Sequence, residues 1–358
     1  TVARLPVDPL PSPLPDAFSV VAWYGLVTLA AILTLPAPSG GLLERVDRRL
    51  RRIPLLTGWA AAILILAAGW LILPAVLERP LEIYFLDVGQ GLAVLVRTPA
   101  GQSLLIDGGR GAYGHSGYDG YDAGRRVVLP ALAHLGIRRL DVVIHTHADD
   151  DHLGGLLDVV EALPVAAAFG PGYHGGNRPN LPSFPAPTAV WDRFQQALAA
   201  RGVPYRRLER GHKLYLPPEV VLEVLHPGPE PLKGTGSEAN DNSLVLLLRY
   251  REATWLFTGD LERPGQQALL AAGLASRIAA DGFQVPHHGA AGSYWTPFWE
   301  AVNPQVAVIS VGRNAFGQPA PLVLEALERK GIAVYRTDRD GTVRAWTRGR
   351  GWRVAAGR

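Results

Sequence analysis

The sequence predicts an α/β fold, a four-layer αββα sandwich preceded by two transmembrane helices, and three observations carry that expectation. Two uncharged apolar runs, 17–36 and 55–77, come first. From Leu81 onward, short apolar strands alternate with glycine-bearing turns and then with helical stretches. That second region also echoes itself: GLAVLVRTPAGQSLLIDGG is followed much later by NSLVLLLRYREATWLFTGD, and LDVVIHTHADDDHLGG by ADGFQVPHHGAAGS. Two similar β-rich halves whose strands end in polar residues imply two sheets packed face to face with helices outside. The site would lie where the strand ends of both halves meet.

Taken in order, residues 1–80 read as a membrane segment, opening on a Pro-rich linker. Each apolar run is long enough for a hydrocarbon core that takes about 20 residues at 1.5 Å rise. A pair of buried core helices is the plainer alternative, but the lengths suit a membrane better than a globular core. A cleaved signal peptide does not fit a first run that a second span follows. Between the runs, GLLERVDRRLRRIP sets Arg45, Arg48, Arg49, Arg51 and Arg52 against Glu44 and Asp47. Short cytoplasmic loops concentrate arginine and lysine. The expected topology therefore has this loop in the cytoplasm and the segment after Leu77 on the outer face of the cell (inner, cytoplasmic) membrane. There is no initiator Met, so a piece of a longer membrane protein is expected.

Residues 81–347 form the second expected domain. LEIYFLDV, LAVLVRT and SLLID read as successive strands, Arg125–Leu135 as a helix, LDVVIHTH as a buried strand and Leu153–Ala162 as a helix. The stretch 170–187, rich in Gly, Pro and Asn, reads as a long surface loop. A helix near Val190–Arg201, the strand VVLEVLHP and a second loop to Asn240 follow. Residues 348–358 read as a basic tail, with Arg348, Arg350, Arg353 and Arg358 close to Arg344. Such a tail is either merely solvated or able to touch phosphates.

Bulk composition decides little more. Hydrophobic residues make up 48% and charged ones 19%, the excess sitting in the two runs. A net charge of +3 is too small to argue for nucleic acid on its own. With no cysteine, disulfides, zinc–thiolate sites and thiol nucleophiles are excluded.

The strongest local signal is His147-Ala-Asp149-Asp150-Asp151-His152, directly after an apolar strand and before Gly154-Gly155. Imidazole with carboxylate suits Zn, Mn or Fe, and a larger oxygen share favours Mn. The competing reading is an acidic loop that caps the following helix. Capping accounts for Asp151 but not for two flanking histidines.

This His-x-Asp-x-Asp-His loop resembles a variant of the His-x-His-x-Asp-His loop of the metallo-β-lactamase superfamily. The phrases FLDVGQG, LLIDGG, HADDDHLGG, NSLVLLL, FTGD, VPHHG and ISVG resemble, in this order, the C-terminal domain of the ComEC family of competence DNA-uptake channels, from about Leu81 to Thr347. The fold implied is the αββα metallo-β-lactamase sandwich, and the preceding membrane helices fit that family too. The resemblance implies that His147 and Asp149 bind a first metal, and Asp151 and His152 a second. It implies that Asp260 bridges them and that His287 or His288 completes the second site. Asp87 and Asp107 are expected as turn and outer groups rather than ligands.

Several positions depart from the family pattern. His145 adds a second possible His-x-His register, but only the register from His147 ends in Asp-His-x-Gly-Gly. Asn240, Asp241 or Asn242 stands where the superfamily places a further histidine. Leu92, Ala290 and Gln318 replace an acidic residue, a serine and a histidine common in the family.

The function implied is a metal-dependent phosphodiester hydrolase, a DNase with two divalent ions, Mn or Zn, that degrades one strand of incoming DNA during natural transformation. Asp151, His287 and His288 are its expected catalytic residues. DNA, as a single strand or duplex, the membrane, and the rest of the channel and uptake machinery are its expected partners. Two alternatives stand beside it: a non-catalytic DNA-guiding domain of the channel, and a small-molecule metallo-hydrolase.

Overall fold

A computed structural model describes residues 24–25, 79–112, 121–173 and 187–357. The predicted spans 17–36 and 55–77 lie outside the described residues, apart from Tyr24 and Gly25. The arginine loop between them lies outside as well. Among the described residues, no helix is long and apolar enough to cross a membrane.

In chain order the strands are β1 (Leu81–Phe85), β2 (Val94–Arg97), β3 (Ser103–Ile106), β4 (Leu140–Ile144), β5 (Val165–Pro171), β6 (Tyr205–Leu208), β7 (Lys213–Leu216), β8 (Val220–His226), β9 (Val245–Tyr250), β10 (Ala253–Phe257), β11 (Gly282–Gln284), β12 (Val306–Ile309), β13 (Ala333–Arg336), β14 (Val343–Thr347) and β15 (Arg353–Ala356). They form two mixed sheets, ordered β15-β14-β1-β2-β3-β4-β5-β6 and β13-β12-β11-β10-β9-β8-β7. The echo in the sequence is a topological one. The hairpin β2–β3 leads into parallel β4 and β5, as the hairpin β9–β10 leads into parallel β11 and β12.

Alternation along each strand explains the layers. Leu105 of β3 and Val143 of β4 pack with Leu153, Leu156, Trp191 and Phe194 from the helices α1 (Asp150–Ala162) and α2 (Pro187–Ala200). Leu247 of β9 and Phe283 of β11 pack likewise with Leu269 from α3 (Arg263–Ala271), Phe298 from α4 (Thr296–Val302) and Leu327 from α5 (Pro321–Arg329). Between the sheets, Phe85 meets Trp255 at 5.4 Å and Phe257 at 6.3 Å between ring centres.

Three sequence expectations change. The helix expected at Arg125–Leu135 opens as a π-helical turn, Gly124–Val128, and there the chain packs backbone to backbone, since a Cβ on Gly124 would lie 2.5 Å from the Gly155 carbonyl oxygen. The helix expected at Leu153–Ala162 begins three residues earlier, at Asp150, so Asp150, Asp151 and His152 occupy its first turn. The basic tail is not free: β15 pairs antiparallel with β14, and the Trp352 indole N–H donates to the Thr254 carbonyl at 2.9 Å. Arginine density concealed the short Val354-Ala355-Ala356 strand.

Candidate metal centre

Polar residues follow directly on the ends of β3, β4, β10 and β12, and within three residues of the end of β11, and these ends converge. Asp107 follows β3 with φ of +58° and is fully buried. Its Oδ1 accepts from the Thr146 N–H at 2.7 Å. Its Oδ2 accepts from the Thr146 hydroxyl and from Nδ1 of His152, each at 2.7 Å. This makes Nδ1 of His152 the donor and leaves Nε2 facing the Asp260 Oδ1, 3.1 Å away. Burial opposes a charge on His152, but Asp260 and Asp107 outweigh it and hold the imidazole well above the usual histidine range.

His147 is oriented in the same way. Its Nδ1 lies 3.1 Å from the Thr146 hydroxyl oxygen and 3.4 Å from that of Ser243, which turns Nε2 inward. Asp260, after β10, has its own N–H donated to the Ser243 hydroxyl at 3.3 Å. Burial pushes the Asp260 carboxyl up, and the three neighbouring imidazoles outweigh that and hold it well below the usual range.

The adjacent histidines part company. His287 and His288 both take left-handed backbone, φ +50° and +54°, which a bulky residue adopts only under constraint. His288 is buried and donates from Nδ1 to the Ser310 carbonyl at 2.8 Å, so its Nε2 faces Asp151 Oδ2 at 3.4 Å and Asp260 Oδ2 at 3.5 Å. His287 is 24% exposed, and its Nδ1 lies 2.9 Å from Glu262 while Nε2 is 3.7 Å from Asp260. Burial lowers its pKa, but Asp260 and Glu262 raise it to about 9.

Two groups of donors emerge with all atoms within 4.8 Å of one another: His147, His152 and Asp260, and Asp151, His152 and His288. Four buried atoms, Nε2 of His147, His152 and His288 and Oδ1 of Asp260, have no hydrogen-bond partner outside this cluster. Buried polar atoms are ordinarily satisfied. Imidazole nitrogens and carboxylate oxygens turned on one spot fit divalent cations, which would supply the missing partners.

Asp149 belongs to neither group; its Oδ2 lies 3.7 Å from Nε2 of His147. It is the N-cap residue of α1 without a side-chain capping bond, so capping does not explain it. Asp150 turns the other way, toward Arg110 at 4.0 Å, and burial with the nearby Asp151 raises it to about 7. His145 is buried apart from both groups, against Trp191 and Phe194, with Nε2 3.1 Å from the Tyr205 hydroxyl. The N–H of Asp87 donates to the Thr342 hydroxyl at 3.2 Å. Asn242 bonds to the backbone of Leu232 and Glu238, and Asp241 accepts from the Gly265 N–H at 3.4 Å. Asn240 donates to Glu262 at 3.3 Å. Ser243 holds the place beside His147 instead.

Thr146, Ser243, Glu262 and Ser310 all escaped the sequence reading. Glu262 had a readable signal, an acid two residues after a candidate ligand. The other three are ordinary hydroxyl residues that only the fold brings to the cluster.

The sequence profile described as the metallo-beta-lactamase superfamily matches residues 86–313. The chain is 31% identical over 270 residues to ComE operon protein 3 of Bacillus subtilis (strain 168), covering 73% of this chain and 32% of that protein. It is 31% identical over 273 residues to competence protein ComA of Neisseria gonorrhoeae, covering 75% of this chain and 33% of that protein. The chain thus spans about a third of the length of these curated relatives. Among solved structures it is similar to a diphosphatase from the PhnP family, with a TM-score of 0.41 and 12% identity over 72% of this chain and 95% of that one.

Proposed function

From the premise that this chain belongs to the metallo-β-lactamase superfamily, we propose that it is the metal-dependent nuclease domain of a DNA-uptake channel. Its substrate is the phosphodiester backbone of one strand of incoming DNA. The observation that carries the hydrolytic part is the set of four buried donor atoms on His147, His152, Asp260 and His288 that turn on one another and have no partner outside the cluster. The DNA part rests on the sequence resemblance to the ComEC family and on similarity to ComE operon protein 3 and to competence protein ComA.

His147, Asp149 and Asp260 would hold one ion; Asp151, His152, His288 and Asp260 would hold a second, with Asp260 shared. Bound divalent cations supply Lewis acidity toward a phosphate oxygen and toward an attacking water. The protein's own contribution is orientation and proton handling. Asp107 and the Ser310 carbonyl fix His152 and His288 so that each turns Nε2 inward. Asp151, at the first turn of α1, orients the nucleophilic water through its carboxylate. His287, braced at Nδ1 by Glu262, presents Nε2 as the atom that passes a proton to the leaving oxygen.

Labelled single- and double-stranded DNA, assayed with Mn and Zn in turn, tests the reading. Mn should serve at least as well as Zn, given the carboxylate-rich set. Asp151→Ala should lower the rate by about 10²-fold or more. His145→Ala should change it far less, because His145 sits outside both donor groups. Cleavage undiminished in Asp151→Ala would place the chemistry elsewhere. One observation favours a second reading, a DNA-guiding domain without turnover. Asn240, Asp241 and Asn242 bond elsewhere and add no third side chain beside His147 and Asp149. A parent protein that cuts DNA under neither metal would select it.

The same channel reading places the chain in the cell membrane with the hydrolase domain on the outer face, supported by the apolar runs and the arginine loop of the sequence.

A further inference from the structure

Phe316 is the most exposed of the large hydrophobic side chains among the described residues, at 64%. A phenyl ring in water gains nothing for folding, so its position is informative. The loop that carries it is not loose. Oδ1 of Asn314 accepts from the N–H groups of Phe316 at 3.0 Å and Gln318 at 3.1 Å. Nδ2 of Asn314 donates to the carbonyls of Gly312 at 2.9 Å and Gln318 at 2.8 Å. One side chain thus braces the whole turn from within, with the ring outside it.

The loop is also clamped to the metal centre on two sides. On one side, Gln90 donates to the Gln318 side chain at 2.6 Å and accepts from the Gly312 N–H at 3.2 Å. A Cβ on Gly312 would stand 2.3 Å from the Gly89 carbonyl carbon, so the two backbones touch. Two residues after Gln90, the Leu92 N–H donates to the carbonyl of Asp151 at 3.1 Å. On the other side, the Ala320 N–H donates at 2.8 Å to the carbonyl of Gly289, the residue after His288. Phe316 therefore stands on a loop tied on both sides to segments that carry donor residues, its Cα no more than about 7 Å from that of Gln318.

We propose that Phe316 is a stacking platform for a nucleobase of the single strand whose phosphate lies at the metal centre. This deepens the nuclease reading and rests on it. A lone aromatic among Arg313, Asn314 and Gln318 is too small an apolar patch for a stable protein interface, which buries far more area. It suits the flat π-face that every base shares, which gives affinity without sequence preference. Arg313, exposed on the same loop, adds positive charge for the flanking phosphate.

The test uses the full chain with Mn and two labelled oligonucleotides of equal length, one bearing bases and one abasic throughout. Phe316→Ala should raise KM for the base-bearing strand roughly tenfold with little change in kcat, and leave KM for the abasic strand unchanged. Phe316→Trp should restore the parent value. Equal losses on both strands, or none on either, would overturn the proposal. If the parent cuts neither strand, the nuclease reading fails separately, and fluorescence anisotropy takes over as the measure of the platform. A roughly tenfold rise in Kd confined to the base-bearing strand in Phe316→Ala would still support stacking, and equal Kd values in parent and variant would overturn it.

Discussion

Asp107 spends two carboxylate oxygens on three donors, two from Thr146 and one from His152, and so fixes the strand end, the loop and a ring nitrogen together. The sequence placed it near the site as an outer group, and its strand-end position was the clue. Which of His287 and His288 turns inward was not legible. Two adjacent histidines carry the same chemistry, and only the fold buries one ring against the Ser310 carbonyl and leaves the other partly exposed beside Glu262. His147, Asp151, His152 and Asp260 could be read because each stands in a short, chemically unusual phrase. Asp260 touches members of both donor groups, being 3.1 Å from His152 and 3.5 Å from His288. Asp260→Ala should therefore weaken every bound ion, and elemental analysis after dialysis should find well under the parent's metal content. Unchanged stoichiometry would remove Asp260 from the shared position.

At the level of elements, the hydrophobic pattern located most strands and the helices after β4 and β5. It missed β5, the four-residue β6, β7, β12 and β13, whose alternation is too brief to stand out, and the C-terminal β14 and β15, where arginines interrupt the apolar pattern. One strand end makes a separate pH-dependent contribution. His226 closes β8, is buried, and its Nε2 donates to the Asp241 carbonyl at 2.8 Å. Burial, aided by the nearby Arg210, pushes its pKa down from 6.5 to about 4. The unfolded chain therefore takes up this proton near pH 6.5 and the folded chain only near pH 4. Stability should fall across that interval as the solution is acidified, by about 3 kcal/mol for this group when the folded site is fully protonated. His226→Gln keeps a donor but cannot titrate. The difference in Tm between parent and variant should shrink in the parent's disfavour from pH 7 to pH 4.5. A difference that stays constant with pH would exclude His226 as the cause.

On the scale of the whole molecule, the two-sheet architecture was legible from the internal echo, since both halves repeat a hairpin followed by parallel strands. The orientation across a membrane belongs to the sequence alone. A reporter fused after Arg358 should behave as exported in whole cells, and one inserted near Arg48 as cytoplasmic. The reverse labelling would put the hydrolase domain inside the cell and end the reading of an external nuclease.

The pairing of β1 with β14 governs when such a domain can exist at all. Arg344 and Glu82 pair across these strands although 262 residues separate them in the chain. Until β14 has been synthesised, one edge of β1 lacks its backbone partners and the first sheet remains open where it will later be continuous. Contacts so distant along the chain close late and slowly. A domain assembled this way has no complete half-made form: translation must pass β14 before the first sheet can close around the donor residues that its strand ends carry.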